Sequence, residues 1–191
     1  VGENVKISVT ADPTVINSAD RVVFPGVGAI GDCMSEILRL DIGNILKNCI
    51  HHKPVLAICV GMQSLLEHSE ESGGVDCLKI VPGKVRQFDH HNTGPSGDKI
   101  KVPHMGWNAV EQCADHPLWN GIEQYSRFYF VHSYYAEAQG NTHTAAYCDY
   151  GVKFAAAMSY ENLFAVQFHP EKSAKGGLQL LRNFSNWVVQ S

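Results

Sequence analysis

The sequence predicts an α/β protein with an open, mostly parallel sheet in three layers, helices on both faces and a small antiparallel insertion. Three observations lead there. Apolar runs of strand length alternate with segments whose apolar residues recur at helical spacing, the pattern of βα units. The runs at 21–24 and 55–58 are apolar on both faces, as strands are in a parallel sheet covered on each side. Between residues 83 and 148 the pattern changes to short strand-like runs separated by turn residues, which suits an antiparallel insertion.

In chain order, the strand at 21–24 is followed by Ile30, Cys33, Met34, Ile37 and Leu38 at i, i+3, i+4, i+7 and i+8. Ile42, Ile45, Leu46, Cys49 and Ile50 repeat that spacing, so each segment forms a helix with one apolar stripe to lay on the sheet. The run 55–58 ends at Cys59, and a helix with Met62, Leu65 and Leu66 begins at once. The insertion consists of the runs 83–88, 108–111, 128–131 and 144–148, and its softest stretch is the polar, turn-rich loop DHHNTGPSGD at 89–98. From Phe154 the chain returns to strands, AAAMSY and LFAVQF, and closes in a helix with Leu178, Leu181, Phe184, Trp187 and Val188 on one side.

A chain of 191 residues suits one domain spanning 1–191. With 45% hydrophobic and 18% charged residues it has enough apolar surface to fold, which excludes a disordered chain. A net charge of −4 with scattered Lys and Arg offers no track for a phosphate backbone, so no nucleic-acid partner is expected. No apolar run approaches the roughly 20 residues that span a bilayer, so no membrane partner is expected either. The six cysteines, Cys33, Cys49, Cys59, Cys77, Cys113 and Cys148, contain no CxxC pair and suit a reducing cytoplasm, all but Cys59 as small core residues. The neighbouring pairs His51, His52 and His90, His91 diverge and lack a third ligand, and no GxGxxG or GKS/T motif occurs, so neither a metal nor another cofactor is expected.

The sharpest local feature is KPVLAICVGMQSLLEH, an apolar strand that turns into a helix at Cys59. Small residues at Ala57 and Gly61 let such an elbow pass close to its neighbours, as in the serine hydrolases that present a nucleophile at a strand-to-helix turn. Unpaired N–H groups at the helix start are expected to lower the thiol pKa and favour the nucleophilic thiolate. A buried strand-end cysteine is the ordinary alternative. A thiolate also needs a base, and the base a carboxylate to fix its tautomer. In LFAVQFHPEKS an apolar strand ends at His169, Pro170 stops it, and Glu171 follows. Both strand ends would lie at the carboxyl edge of a parallel sheet, where ligands bind.

FPGVGAIGDCM at 24–34, AICVGMQ at 57–63, VPHMGWN at 102–108, FYFVHSYY at 128–135 and QFHPEKS at 167–173 together resemble the class I, or triad, glutamine amidotransferase family. PHMGWN with FYFVHSYY is similar to the branch that serves histidine biosynthesis. The resemblance implies that Cys59 attacks the side-chain amide of L-glutamine, His169 protonates the departing ammonia, and Glu171 orients His169. It also implies that Val27 and Val60 supply main-chain oxyanion donors, with Gly26 and Gly28 in a loop that otherwise reads as a strand-ending turn. Gln63, Glu71, Ser133 and Tyr134 would bind glutamine; the alternatives are a Gln63 that faces solvent on its helix, a Glu71 in the solvated acidic run EHSEES and a Tyr134 at the rim. His104, Met105 and Trp107, with Tyr129 and Lys172, would face a (β/α)8 barrel cyclase/synthase in a heterodimer, ammonia passing into the barrel. The alternative for Met105 and Trp107 is core beneath the insertion.

The family opens with a strand and helix carrying a DYGxGN-like segment, and this chain starts after it, so the first βα unit is expected to be missing and the domain N-terminally truncated. Ala57 also stands where the class commonly has glycine. Two other functions remain open, a glutaminase serving vitamin B6 cofactor synthesis and a noncatalytic binding subunit. PHMGWN speaks against the first, and the complete Cys59, His169, Glu171 set against the second.

Overall fold

In the computed structural model, which describes residues 5–89, 91, 93, 97, 99–137 and 142–189, the first element is helix α1 (Pro13–Ser18). Asp12 caps it by accepting from the Thr14 N–H at 2.8 Å, and Pro13 occupies a position that needs no N–H donor. Then follow β1 (Val22–Gly26), α2 (Ile30–Arg39), α3 (Ile42–His52), β2 (Val55–Cys59) and a single-turn helix α4 (Val60–Gln63). Short strands β3 (His68–Ser69), β4 (Val75–Asp76) and β5 (Lys84–Gln87) lead to β6 (His104–Ala109) and β7 (Glu111–Gln112). The remaining strands are β8 (Arg127–His132), β9 (Tyr134–Glu137), β10 (Thr144–Asp149), β11 (Lys153–Tyr160) and β12 (Leu163–Val166), before helix α5 (Ala174–Asn186).

The main sheet has six strands in the order β1-β2-β12-β11-β10-β7. β1, β2 and β12 run parallel, whereas β12 with β11, β11 with β10 and β10 with β7 pair antiparallel. The expected layered α/β architecture is present, but the sheet is mixed and not mostly parallel, because β11, β10 and β7 follow one another as antiparallel neighbours; the parallel pairings gather where the two sequence elbows end. β2 and β12 are buried along their whole length, so the sheet is covered on both faces there. The insertion is smaller than expected. β10, assigned to it from sequence, joins the main sheet beside β11, because the alanines at 145, 146 and 155–157 let these two strands bury closely packed faces. What remains apart is a four-stranded sheet, β4-β3-β5-β9, and the pair β6-β8.

Two helical stripes and the cysteines need correction, and the helix expected to carry Leu65 and Leu66 ends at Gln63, leaving those leucines buried in the turn that follows. α2 buries Ile30, Met34 and Ile37, but Leu38, at the edge of that face, is 70% exposed. α5 packs through Gly177, Leu180 and Phe184, a stripe offset from the expected one, and Leu178 and Val188 face solvent. Of the five cysteines expected in the core, Cys49, Cys77 and Cys148 are buried, Cys33 is half-buried and Cys113 is exposed. Most of the polar loop at 89–98, with His90, lies outside the described residues.

Candidate active site

β1 and β2 run side by side in register up to Gly26 beside Cys59. There the backbone of Cys59 adopts φ 55° and ψ −114°, a region that costs an L-residue of order 1–3 kcal/mol and needs surrounding structure to hold it. The main chains supply that structure. A Cβ on Gly61 would sit 2.3 Å from the Phe24 carbonyl oxygen, and one on Gly26 would sit 2.4 Å from the Gly61 nitrogen, so only glycine permits the approach. Ala57, two positions before the turn, is fully buried.

The expected lowering of the Cys59 pKa does not occur. Burial pushes the thiol up to about 11, and Glu171 adds to the rise, while the Val60 N–H and the Gln167 side chain pull the other way. Cys59 is 5% exposed and α4 is a single turn, so desolvation of a thiolate outweighs the few aligned peptide dipoles. Burial therefore favours the protonated thiol at Cys59.

His169 stands past the end of the next strand of the sheet. β12 pairs with β2 so that Val166 lies beside Ile58, and Gln167 and His169 continue beyond it. The His169 ring, 6% exposed, places Nδ1 2.7 Å from Glu171 Oε1. A proton on Nδ1 donated to that carboxylate leaves Nε2 as the lone-pair nitrogen. The main chain of His169 is tied to β8 by three bonds: its N–H donates to Tyr129 O at 2.9 Å, its carbonyl accepts from the Ser173 hydroxyl at 2.6 Å, and that hydroxyl accepts from Tyr129 N–H at 2.9 Å. Helix α5 closes over this turn, and a Cβ on Gly177 would lie 1.9 Å from the Pro170 oxygen.

A nucleophile elbow, an imidazole and a carboxylate at adjoining parallel strand ends agree with the comparisons. The model of the family described as glutamine amidotransferase class-I matches residues 3–187. The chain belongs to the class-I glutamine amidotransferases. It is 56% identical over 182 residues to the imidazole glycerol phosphate synthase subunit HisH of Pseudomonas putida, covering 95% of this chain and 85% of that one. Identity to the protein of the same name from Nitrosococcus oceani is 52% over 187 residues, covering 98% and 87%. Among solved structures, a crystal structure of glutamine amidotransferase aligns with TM-score 0.64 at 13% identity over 92% of this chain and 85% of that one. A glutamine amidotransferase from Thermotoga maritima aligns with TM-score 0.58 at 15% identity over 89% and 64%. At those identities the structures speak for the fold alone.

The other amidotransferase residues fall into two groups. Around the elbow, the loop through Val27 and Gly28 (φ 85°) is pinned on both sides. Gly26 packs on Val60, and past the loop the Ile30 N–H donates to the Glu71 carboxylate at 3.1 Å while the Cys33 thiol donates to Val27 O at 3.3 Å. Glu71 thus caps α2 instead of standing free on an acidic face. Gln63, 2% exposed, does not face solvent: its Nε2 donates to Tyr134 O and to Gln167 Oε1, both at 2.9 Å. The Ser133 carbonyl accepts from the Phe88 N–H at 3.1 Å, so the main chain of the HSYY segment takes up bonds beside the site. Gln167 was missed in sequence. It is fully buried with Nε2 3.8 Å from Cys59 Sγ, and the available signal was an amide inside the apolar run LFAVQF.

The second group lies on β6 and β8, where strand alternation sorts the residues. Met105 and Trp107 point outward, 62% and 42% exposed, with Tyr129 opposite Trp107 and Lys172 Nζ 6.0 Å from the Tyr129 ring. His104, expected on the same outward face, is corrected to the interior. As an even-numbered neighbour of Met105 it points inward, where it is 3% exposed, stacks on Tyr150 at 3.9 Å and places Nδ1 3.0 Å from His132 Nε2.

Proposed function

We propose that Cys59, His169 and Glu171 hydrolyse L-glutamine to glutamate and ammonia through a cysteine thioester. The protein is the glutaminase subunit of an imidazole glycerol phosphate synthase. Its ammonia passes to a (β/α)8 barrel cyclase/synthase partner, which forms imidazole glycerol phosphate and aminoimidazole carboxamide ribonucleotide in histidine biosynthesis. The carrying observation is the strained Cys59 at the end of β2 beside the His169–Glu171 pair at the end of β12.

The Cys59 thiol is protonated at rest, so Sγ attacks the amide carbon as its proton moves to His169 Nε2. The proton then goes to the departing nitrogen, ammonia leaves, and the acyl group remains on sulfur. Water, deprotonated by the same imidazole, attacks the thioester, and glutamate and the thiol are regenerated. Main-chain N–H groups of Val27 and Val60 would receive the oxyanion, where losing one donor in comparable sites costs roughly 3–4 kcal/mol. Gln63, Glu71, Ser133 and Tyr134 would frame the substrate. Met105, Trp107, Tyr129 and Lys172 form an exposed apolar and cationic patch of the kind that docks a partner, and the free cysteines suit the cytoplasm.

Cys59→Ala tests this in the assembled synthase. Glutamine-driven synthesis should disappear while synthesis from added ammonium salts persists. Unchanged glutamine-driven turnover would overturn the assignment. The isolated subunit should hydrolyse glutamine weakly and be stimulated when the barrel partner holds its substrate, because the Val27–Gly28 loop can move between its pinned ends.

A further inference from the structure

Gln167 stands directly past β12, beside Cys59, and is fully buried. Its Nε2 lies 3.8 Å from Cys59 Sγ, within hydrogen-bond reach of an atom as large as sulfur. The rest of the amide has no freedom. Oε1 accepts from Gln63 Nε2 at 2.9 Å, and Gln63 Nε2 also donates to Tyr134 O at 2.9 Å. That carbonyl is in turn 2.7 Å from His132 Nδ1, and His132 Nε2 is engaged with His104 Nδ1 at 3.0 Å. The Gln167 main chain is fixed as well, its N–H donating to Ala156 O at 2.9 Å.

This chain decides which end of the amide faces the sulfur. Rotating Gln167 by half a turn would set its NH2 against the NH2 of Gln63, two donors with no acceptor between them, which a buried site does not tolerate. The N–H is therefore locked toward Sγ. A fixed donor stabilises the charged form of its acceptor over the neutral form. At Cys59 it opposes the burial that disfavours the thiolate, and it spans no part of the glutamine that the other residues frame.

We propose that Gln167 is a catalytic residue of this site, a buried amide donor that holds Cys59 Sγ and stabilises its thiolate as the attack begins. The inference rests on Cys59 being the nucleophile. It gives the buried Gln63–Gln167 pair a role distinct from substrate recognition: Gln63 acts on the sulfur through Gln167, and the histidine pair anchors the far end.

The test reads the thiolate directly and so separates from the test of the triad. In the complex with the barrel partner, Gln167→Met keeps volume and removes the donor. Alkylation of Cys59 by iodoacetamide is followed across pH by mass spectrometry of its peptide. The alkylation midpoint should rise by about one pH unit, equivalent to about tenfold less thiolate at any pH below it. Glutaminase kcat should fall about tenfold or more while KM for glutamine changes less than about threefold, the pattern of a lost transition-state contact. A midpoint that stays in place overturns the proposal whatever happens to kcat. Should Gln167→Met fail to fold, Gln167→Glu retains the acceptor toward Gln63 and replaces the donor with oxygen. It must raise the midpoint at least as far, and an unchanged or lowered midpoint counts against the proposal equally.

Discussion

The two parallel strands that lead to Cys59 and His169 end in opposite ways. β2 ends in crowding, with Cys59 at positive φ and main chains so close that neither Gly26 nor Gly61 has room for a Cβ. β12 ends in hydrogen bonds, with Ser173 and Tyr129 clasping the His169 backbone and Glu171 holding its ring. Shape holds Cys59 and polar ties hold His169. The difference matters because packed backbone cannot yield in small steps, whereas a hydrogen bond can be weakened one partner at a time.

The contrast breaks most visibly at Gly61. Gly61→Ala forces a Cβ to within 2.3 Å of the Phe24 carbonyl, a clash of main chain with main chain. The expected loss of folding stability is about 3 kcal/mol or more, read by urea denaturation. A midpoint like that of the parent chain would mean that the elbow relaxes and is not held by shape. Glu171→Gln works at the other strand end, where the carboxylate side chain is 50% exposed and carries little of the fold. Here kcat should drop about 10²-fold in steady-state glutaminase assays with stability nearly unchanged, because a tautomer and not a core contact is lost.

Ser173→Ala sharpens the comparison by loosening the clasp. It leaves the Tyr129 N–H and the His169 carbonyl without the hydroxyl that joins them, which should cost about 1–3 kcal/mol, with a smaller fall in kcat than for Glu171→Gln. Acid should also find the hydrogen-bonded side first. Burial holds His104 down at about 4 and His132 at about 3, so the unfolded chain takes up protons near 6.5 that the native chain refuses. Their contribution to stability is complete above that pH and is lost as pH falls toward 4. Urea midpoints measured downward from neutrality should decline, and His132→Asn should flatten the slope. An equal slope in the variant would assign the acid sensitivity to other groups.

The elbow was legible because it is local. A strand, a cysteine and a helix lie within a dozen residues, and the small residues that allow the turn are adjacent in the chain. HPEKS was legible for the same reason. Gln167 sits inside that same motif, yet its partners are Gln63, 104 positions away, and through it a carbonyl of β9, so the local signal of an amide in an apolar run could not show what it touches. His104 shows a second limit. PHMGWN was taken as one patch, but strand alternation splits it, sending Met105 and Trp107 out and His104 in. Period two was readable in principle; which phase faced the core was set by β8 and Tyr150. The placement of β10 depended likewise on pairing with β11, a contact between segments whose sequences read simply as apolar strands.

The high, burial-driven pKa of Cys59 has a consequence for chemical targeting. A reagent that selects cysteines by thiolate character alone will find this nucleophile masked and will meet Cys113, exposed on the surface, before it. Near neutral pH, labelling of Cys113 ahead of Cys59 is then the expected outcome of a nonspecific electrophile. A useful covalent inhibitor must first be recognised as glutamine, borrowing His169 to remove the proton, and only then react. The same burial and raised pKa should slow oxidation of Cys59 relative to an exposed thiol such as Cys113 when no substrate is bound.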